Sequence, residues 1–89
     1  MVYLIHFDTP LHHASHYIGW TRDERTFPRR IEHHRKGSGA RLMAAVSAAG
    51  IGFKVVRTWE GDRAKEKSLK NFHGPRLCPV CQAQRRMAA

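Results

Sequence analysis

The sequence predicts one small domain with an α/β fold of the α+β type, in which a three-stranded antiparallel sheet is flanked by three helices. Three observations support this prediction. The chain has 89 residues, which is the size of a single domain with a modest core. Short β-prone segments and longer helix-favouring segments follow one another in the order β-β-α-α-β-α. Glycine and proline residues separate most of these segments.

Three segments have the composition of strands. Residues 2–7 are apolar and β-prone, and Pro10 closes this strand because proline cannot donate a ladder hydrogen bond. Residues 16–20 form a second short strand after a loop at residues 11–15, and this brief connection predicts an antiparallel hairpin. In the third strand, residues 53–59, polar and apolar side chains alternate incompletely, which predicts one mixed face.

Three other segments carry helix signals. The first begins at Thr26, which can cap a helix, contains Pro28 in its first turn and ends before Gly37. The second, residues 40–49, is rich in alanine, the strongest helix former. The third begins after Asp62, a good capping residue, and runs to about residue 71.

The chain divides into a compact domain at residues 1–72 and a basic C-terminal tail at residues 73–89. Gly74 and Pro75 are expected to end regular structure, and the tail is expected to be loose beyond Cys81. The tail contains a C-x-x-C sequence, Cys78-Pro79-Val80-Cys81.

The composition is strongly basic, with 16 Lys and Arg against 7 Asp and Glu and a formal net charge of +9. This excess predicts a polyanionic partner, first of all nucleic acid, and a solvated basic surface is the plain alternative. No apolar run approaches the ~20 residues of a membrane span, so no membrane partner is expected. The first residues lack the basic region of a signal peptide, and two cysteines do not make a secreted disulfide framework. We therefore expect a cytoplasmic protein.

Two tyrosines stand out in the predicted hairpin. Strand side chains alternate between faces, so Tyr3 shares a face with Ile5, and Tyr17 shares a face with Gly19. If the strands pair, both phenols can lie on one side, and Gly19 allows another group to approach closely. The alternative is that both tyrosines are ordinary half-buried sheet aromatics.

A basic pair follows on the first predicted helix. Arg30 and His34 lie one turn apart on one face. A guanidinium suits a forked contact to phosphate oxygens, and an imidazole can hold or protonate an oxygen. A solvated basic face is the alternative, and Arg29 with His33 has the same spacing.

Glu66 is an isolated carboxylate in the basic third helix. It offers the oxygen ligand that Mg²⁺ prefers. A surface pair between Glu66 and Lys70, four residues later, is an equally good interpretation from the sequence.

The order of these residues resembles that of the GIY-YIG nuclease superfamily over roughly residues 1–71. Met1-Val2-Tyr3 stands where the first motif would be and keeps its tyrosine but not its glycine and isoleucine, and Tyr17-Ile18-Gly19 is the second motif intact. Residues 29–34 followed by Gly37 are similar to the family's helix, and residues 62–71 are similar to its metal-binding helix. The place of Gly37 favours the pair Arg30 and His34 over Arg29 and His33.

The resemblance implies a GIY-YIG-like fold and a metal-dependent DNA endonuclease that hydrolyses phosphodiester bonds with one divalent cation. Glu66 would hold Mg²⁺ or Mn²⁺, Tyr3 would help to deprotonate the attacking water, and Tyr17 would position water or phosphate. Arg30 would offset charge on the phosphate, and His34 would orient the nucleophile or the phosphate. DNA would be the partner of a monomer or a homodimer. The further candidate substrate-binding residues are Arg29, Lys36, Lys70 and Asn71.

The alternative function is a non-catalytic nucleic-acid-binding module on the same fold. Such a module would keep the basic surface without turnover.

The C-x-x-C sequence has several interpretations of its own. Cys78 and Cys81 suit half of a tetrahedral Zn²⁺ site. His73 is a candidate third ligand, and the fourth would come from water, another subunit or a loop histidine (His12, His13 or His16). A redox pair and two free thiols are the other interpretations. With zinc bound, a small basic adaptor protein would be a third function.

Overall fold

The computed structural model describes residues 1–72 and 74–88, without side-chain detail at residues 74, 75, 86 and 88. The predicted α+β class is confirmed, with one three-stranded antiparallel sheet. The strands are β1 (Val2–Leu11), β2 (Ala14–Trp20) and β3 (Phe53–Trp59). The helical segments in the described residues are α1 (Phe27–Arg35), α2 (Arg41–Ala48), α3 (Arg63–Lys70), α4 (Gly74–Leu77) and α5 (Pro79–Ala88).

The predicted helix count was wrong, because the C-terminal segment is helical rather than loose. Three helices were expected, whereas the described residues form four helices and the single turn α4. Pro79 is the first residue of α5, where the missing N–H of proline is not needed. Cys78 is buried and Leu77 and Val80 pack beside it in an apolar cluster, which holds this segment on the sheet. No helix in the described ranges is both long and apolar enough to cross a bilayer.

The predicted hairpin forms between β1 and β2, but its first strand is longer than expected. β1 continues through Pro10, and the connection is a turn at His12 and His13, where His12 has a φ of 55°. The register shifts between His6 and Leu11. Proline is tolerated there because a residue at a strand irregularity does not need to donate to the ladder.

β1 is the central strand, with the order β2-β1-β3. Tyr3 lies opposite Gly19, and Ile5 lies opposite Tyr17. Because side chains alternate along a strand, Tyr3 and Ile5 face one side of the sheet and His6 faces the other. Tyr17 shares the side of Tyr3 and Ile5, and its neighbour His16 faces the opposite side.

Each side of the sheet has its own apolar cluster. The first is covered by α1 and α2, and its buried members are Tyr3, Ile5, Phe7, Met43, Val46 and Phe53. The second is covered by α3 and the C-terminal segment, and its buried members are Val2, Leu4, Ile18, Leu69 and Cys78. Full burial of a large apolar side chain contributes about 1.5–3 kcal/mol. The central strand is therefore fixed from both sides.

α3 runs beside β2 and begins at a well-formed cap. The Asp62 carboxylate accepts hydrogen bonds from the backbone N–H groups of Ala64, at 2.9 Å, and Lys65, at 3.4 Å. Leu69 anchors the helix in the second apolar cluster. The helix start and this anchor together fix the position of Glu66, one turn before Leu69.

Candidate active site

Tyr3 is fully buried and its phenol lies over Gly19 of the neighbouring strand. A Cβ at position 19 would overlap the Tyr3 ring, including the Cζ and hydroxyl atoms. Glycine is therefore required here by the close approach of the phenol, as the sequence suggested. The rings of Tyr3 and Phe27 lie 5.2 Å apart between centroids, so α1 covers the phenol from the other side.

The Tyr3 hydroxyl forms a hydrogen bond of 2.8 Å with Nε2 of His34. His34 is completely buried on α1. Burial, with a further contribution from the Arg30 guanidinium, lowers the pKa of His34 to about 4, so the imidazole is neutral at pH 7. Burial raises the pKa of Tyr3 to about 12, so the phenol is protonated. The neutral phenol can therefore donate its proton to the lone pair on Nε2 of the neutral imidazole.

Tyr17 and Arg30 are the next neighbours of Tyr3 and His34. The Tyr17 ring centroid lies 6.3 Å from that of Tyr3 and 5.3 Å from that of His34. Burial raises the pKa of Tyr17, and Arg30 opposes this effect. The interaction with the Tyr3 phenol raises the pKa of Arg30, and Tyr17 contributes further. The guanidinium therefore lies beside both phenols.

The carboxylate of Glu66 belongs to the same group. It lies close enough to both phenols to raise the pKa of each by electrostatic repulsion. Its side chain is 20% exposed, and it pairs with Lys70 at 4.0 Å. Tyr3, Tyr17, Arg30 and His34 are therefore close neighbours, and the Glu66 carboxylate acts on both phenols electrostatically. We call these five residues the phenol cluster.

Two buried polar atoms of the phenol cluster have no hydrogen-bond partner within the described residues. They are Nε of Arg30 and Nδ1 of His34. Buried polar atoms are rarely left unpaired in folded proteins, because each costs about 1–3 kcal/mol. Gly39 approaches the same place, and a Cβ there would lie 3.7 Å from Nδ1 of His34.

The structure distinguishes the two arginine–histidine pairs on α1. Arg30 is half-buried and His34 is buried against the phenols, whereas Arg29 and His33 are both exposed. Because neighbouring residues on a helix point in different directions, only one pair can face the sheet. Arg30 and His34 are that pair.

The other candidate substrate-binding residues are more peripheral. Lys36 is exposed and pairs with Glu32 at 4.0 Å on the surface. Asn71 is exposed at the C-terminal end of α3. Lys70 lies nearer to the phenols, because it lines a pocket of about 390 Å³ together with Tyr17.

A basic cleft of about 320 Å³ opens beside Arg30. Its lining residues are Trp20, Thr21, Arg22, Thr26, Arg30 and Arg63. The Arg63 guanidinium lies 5.0 Å from the Trp20 ring centroid. This cation–π contact positions the Arg63 side chain in the wall of the cleft. Arg22, Arg30 and Arg63 line this cleft, and guanidinium groups suit contacts to anions with several charged oxygens.

A second polar group lies on the opposite side of the sheet. Cys78 and Cys81 meet His6 and His16, and their ligand atoms all lie within 4.8 Å of one another. These four residues, the His–Cys cluster, could bind a metal ion, and nitrogen and sulfur donors are more typical of zinc than of magnesium. Of the predicted loop histidines, His16 joins the cluster, whereas His12 and His13 are exposed.

The His–Cys cluster differs from the ligand set predicted from the sequence. His73, the candidate third ligand, lies outside the described residues. His6 was missed by the sequence analysis, because it looked like one more residue of an apolar strand. The available signal was the alternation of side chains along the strand, which places His6 on the face opposite to Tyr3 and Ile5.

Family models, curated proteins and solved structures were compared with this chain, and none of them matches. The chemistry of the phenol cluster and of the His–Cys cluster therefore follows from their own residues and geometry.

Proposed function

We propose that this protein is a metal-dependent DNA endonuclease of the GIY-YIG type. The observation that carries the proposal is the convergence of two phenols, a guanidinium, a neutral imidazole and a carboxylate from four separate elements of the fold. Burying these groups together costs free energy, because each loses contact with water. Such a group is expected where it has a chemical task.

The Tyr3–His34 hydrogen bond gives a route for the proton of the attacking water. A pKa of about 12 makes a free phenolate rare at pH 7. In the proposed step, the phenol oxygen instead accepts a proton from a water admitted to the cluster with the substrate, while its own proton passes to Nε2 of His34, 2.8 Å away. The water oxygen then forms the new bond to phosphorus and the bond to the leaving oxygen breaks. That oxygen takes up a proton from solvent, and His34 releases its proton to solvent.

Arg30 has two effects in this reaction. It lies beside both phenols and lines the basic cleft, where a phosphodiester oxygen can accept a hydrogen bond from the guanidinium. The phosphate charge would also offset the electrostatic effect by which Arg30 lowers the pKa of His34. Binding of the substrate thus makes His34 a better proton acceptor.

The residues present fit a divalent cation of the magnesium type. Mg²⁺ keeps several of its waters in proteins and often binds through one or two carboxylates together with substrate phosphates. Glu66 supplies one partly exposed carboxylate beside the phenols. A Mg²⁺ or Mn²⁺ ion held there would supply Lewis-acid stabilisation of the charge on the phosphoryl group.

DNA is the proposed partner because of the net charge of +9 and the three-arginine cleft. One phenol cluster cleaves one strand, so a monomer would nick the duplex and a homodimer would cut both strands. We also propose a cytoplasmic location, since the two cysteines form no disulfide and suit a reducing compartment.

The test is nicking of supercoiled plasmid by the full chain with Mg²⁺ or Mn²⁺. Glu66→Gln should abolish nicking while DNA binding persists, because the substitution removes one charge and keeps the shape of the side chain. Glu32→Gln is the matched control, since Glu32 is an exposed carboxylate on α1, and it should nick like the unmodified protein.

One result would contradict the proposal. If the unmodified protein binds DNA but leaves plasmid, branched and single-stranded substrates intact with either metal, the non-catalytic binding module is the correct function.

A further inference from the structure

We propose that His6, His16, Cys78 and Cys81 form a closed, tetrahedral Zn²⁺ centre that fastens the start of α5 to the β1–β2 hairpin. The inference concerns the His–Cys cluster, on the sheet face opposite to the phenol cluster. It does not depend on the proposed nuclease activity.

Four of the six ligand–ligand distances are close to those around a tetrahedral zinc ion, and all six are within 4.8 Å. Nδ1 of His6 lies 3.2 Å from Nε2 of His16. Cys78 Sγ lies 3.4 Å from His6 Nδ1, and Cys81 Sγ lies 3.7 Å from His6 Nδ1 and 3.4 Å from His16 Nε2. Zinc bonds of about 2.3 Å to sulfur and about 2.0 Å to nitrogen place two nitrogens about 3.3 Å apart and a nitrogen and a sulfur about 3.5 Å apart.

Ordinary hydrogen bonds do not account for this arrangement. Nδ1 of His6 lies within 3.7 Å of His16, Cys78 and Cys81 at once. A ring nitrogen of a neutral imidazole carries either one hydrogen or one lone pair in its plane, so it satisfies only one such partner well. A central cation, in contrast, accepts a lone pair from all four ligands and explains why they point at one place.

The surroundings of two ligands prepare them for a metal. Oγ of Ser15 lies 2.9 Å from Nδ1 of His16, so Nδ1–H can donate to the hydroxyl and leave the Nε2 lone pair free for zinc. Cys78 directly precedes α5, and its carbonyl accepts the first helical hydrogen bond from Gln82 N–H at 3.0 Å. Cys78 is thereby held at the N-terminal cap of α5.

The composition of the cluster indicates a structural centre. Four protein ligands fill the tetrahedral positions of zinc, so no position remains for water or substrate. Cys78 is fully buried in the second apolar cluster, beside Leu77 and Val80. The metal would therefore close a long loop between the hairpin and the C-terminal helix rather than take part in hydrolysis.

The first experiment measures metal content and ligand geometry in the unmodified full chain. Protein purified without chelator should contain one zinc per chain. After zinc removal, one equivalent of Co²⁺ should produce the intense visible absorption of a tetrahedral site and the near-ultraviolet band of thiolate bound to Co²⁺, and Zn²⁺ should abolish both. Zinc should also slow the reaction of both cysteines with a thiol reagent at least tenfold.

Variants then identify the ligands. Cys81→Ser and His16→Ala should each lose the thiolate–cobalt spectrum or bind Co²⁺ at least tenfold more weakly. His13→Ala is the matched control, because His13 is exposed on the same hairpin and outside the cluster, and it should retain full zinc content. Should a variant fail to fold, the spectrum of the unmodified chain still decides between the outcomes.

The proposal is overturned if the unmodified chain neither contains zinc nor gives a tetrahedral Co²⁺ spectrum. Recovery of Cys78 and Cys81 as a disulfide in metal-free protein that does not take up zinc after reduction would also overturn it. A normal metal content with a nuclease-negative result would contradict only the proposed function, so the two failures are distinguishable.

Discussion

His34 should make the stability of this protein depend on pH in a narrow range. The imidazole is fully buried, and its pKa is lowered to about 4 from the ordinary value of 6.5. Above pH 6.5 the group is neutral in both the folded and the unfolded chain. As the pH falls from 6.5 towards 4, only the unfolded chain takes up the proton, so stability is lost on acidification.

The size of the effect follows from the shift. One pKa unit corresponds to about 1.4 kcal/mol, so the loss should be about 2 kcal/mol at pH 5 and about 3 kcal/mol at pH 4. The groups that surround the imidazole are Tyr3, Tyr17, Arg30 and His33. They are present in both proteins compared below, so their own contributions largely cancel.

The assay is urea unfolding of the unmodified chain and of His34→Gln at a series of pH values from 7.5 to 4. The unmodified protein should lose about 2 kcal/mol more than the variant between pH 7.5 and 5. A direct check is NMR titration of the His34 ring protons, which should not shift between pH 7.5 and 5. Equal losses in both proteins, or a ring titration near pH 6.5, would refute the argument.

Three further predictions concern the phenol cluster, its supporting helix α3 and the basic cleft beside Arg30. Gly19→Ala should lower the free energy of unfolding by about 1–3 kcal/mol, because the new methyl group overlaps the Tyr3 ring, and an unchanged urea midpoint would contradict this. Arg63→Ala should weaken DNA binding equally for all sequences and reduce the slope of log K against log salt by about 1, whereas exposed Arg25→Ala, outside the cleft, should change it less. Asp62→Ala should remove the α3 cap, cost about 1 kcal/mol and lower Tm by about 4–8 °C in calorimetry, and an unchanged Tm would show that the cap adds nothing.

Much of the fold could be predicted because local signals agreed with the tertiary structure. Asp62 caps α3 as expected, and the third strand has the predicted bounds of residues 53–59. The phenol cluster could also be predicted from the sequence, since strand alternation and helix spacing are local properties that tertiary contacts left unchanged. Gly37 helped to select Arg30 and His34 from two equivalent pairs, and the structure turns that pair towards the phenols.

The His–Cys cluster was harder to predict because it depends on a strand irregularity. Between the pairs Leu11–Ala14 and His6–His16, β1 advances five residues while β2 advances two. If regular pairing continued along the strands from Leu11 and Ala14, His6 would not lie opposite His16. The sequence marks this region only by Pro10, which indicates a break without giving its size.

The C-terminal helix was missed for a different reason. Its local composition is basic and polar, and Gly74 and Pro75 normally end structure. The segment is held by Leu77, Cys78 and Val80 on the second apolar cluster, which is a contact with strands more than fifty residues earlier. A pattern within the segment alone could not reveal that surface.

β1 presents Tyr3 to one side of the sheet and His6 to the other, and this shared origin has an evolutionary consequence. Inserting or deleting one residue between positions 3 and 6 would turn one of the two side chains towards the wrong layer. During evolution, this short stretch should therefore change by amino-acid substitution and almost never by insertion or deletion. The loop at the hairpin tip, which carries neither group, is free to lengthen.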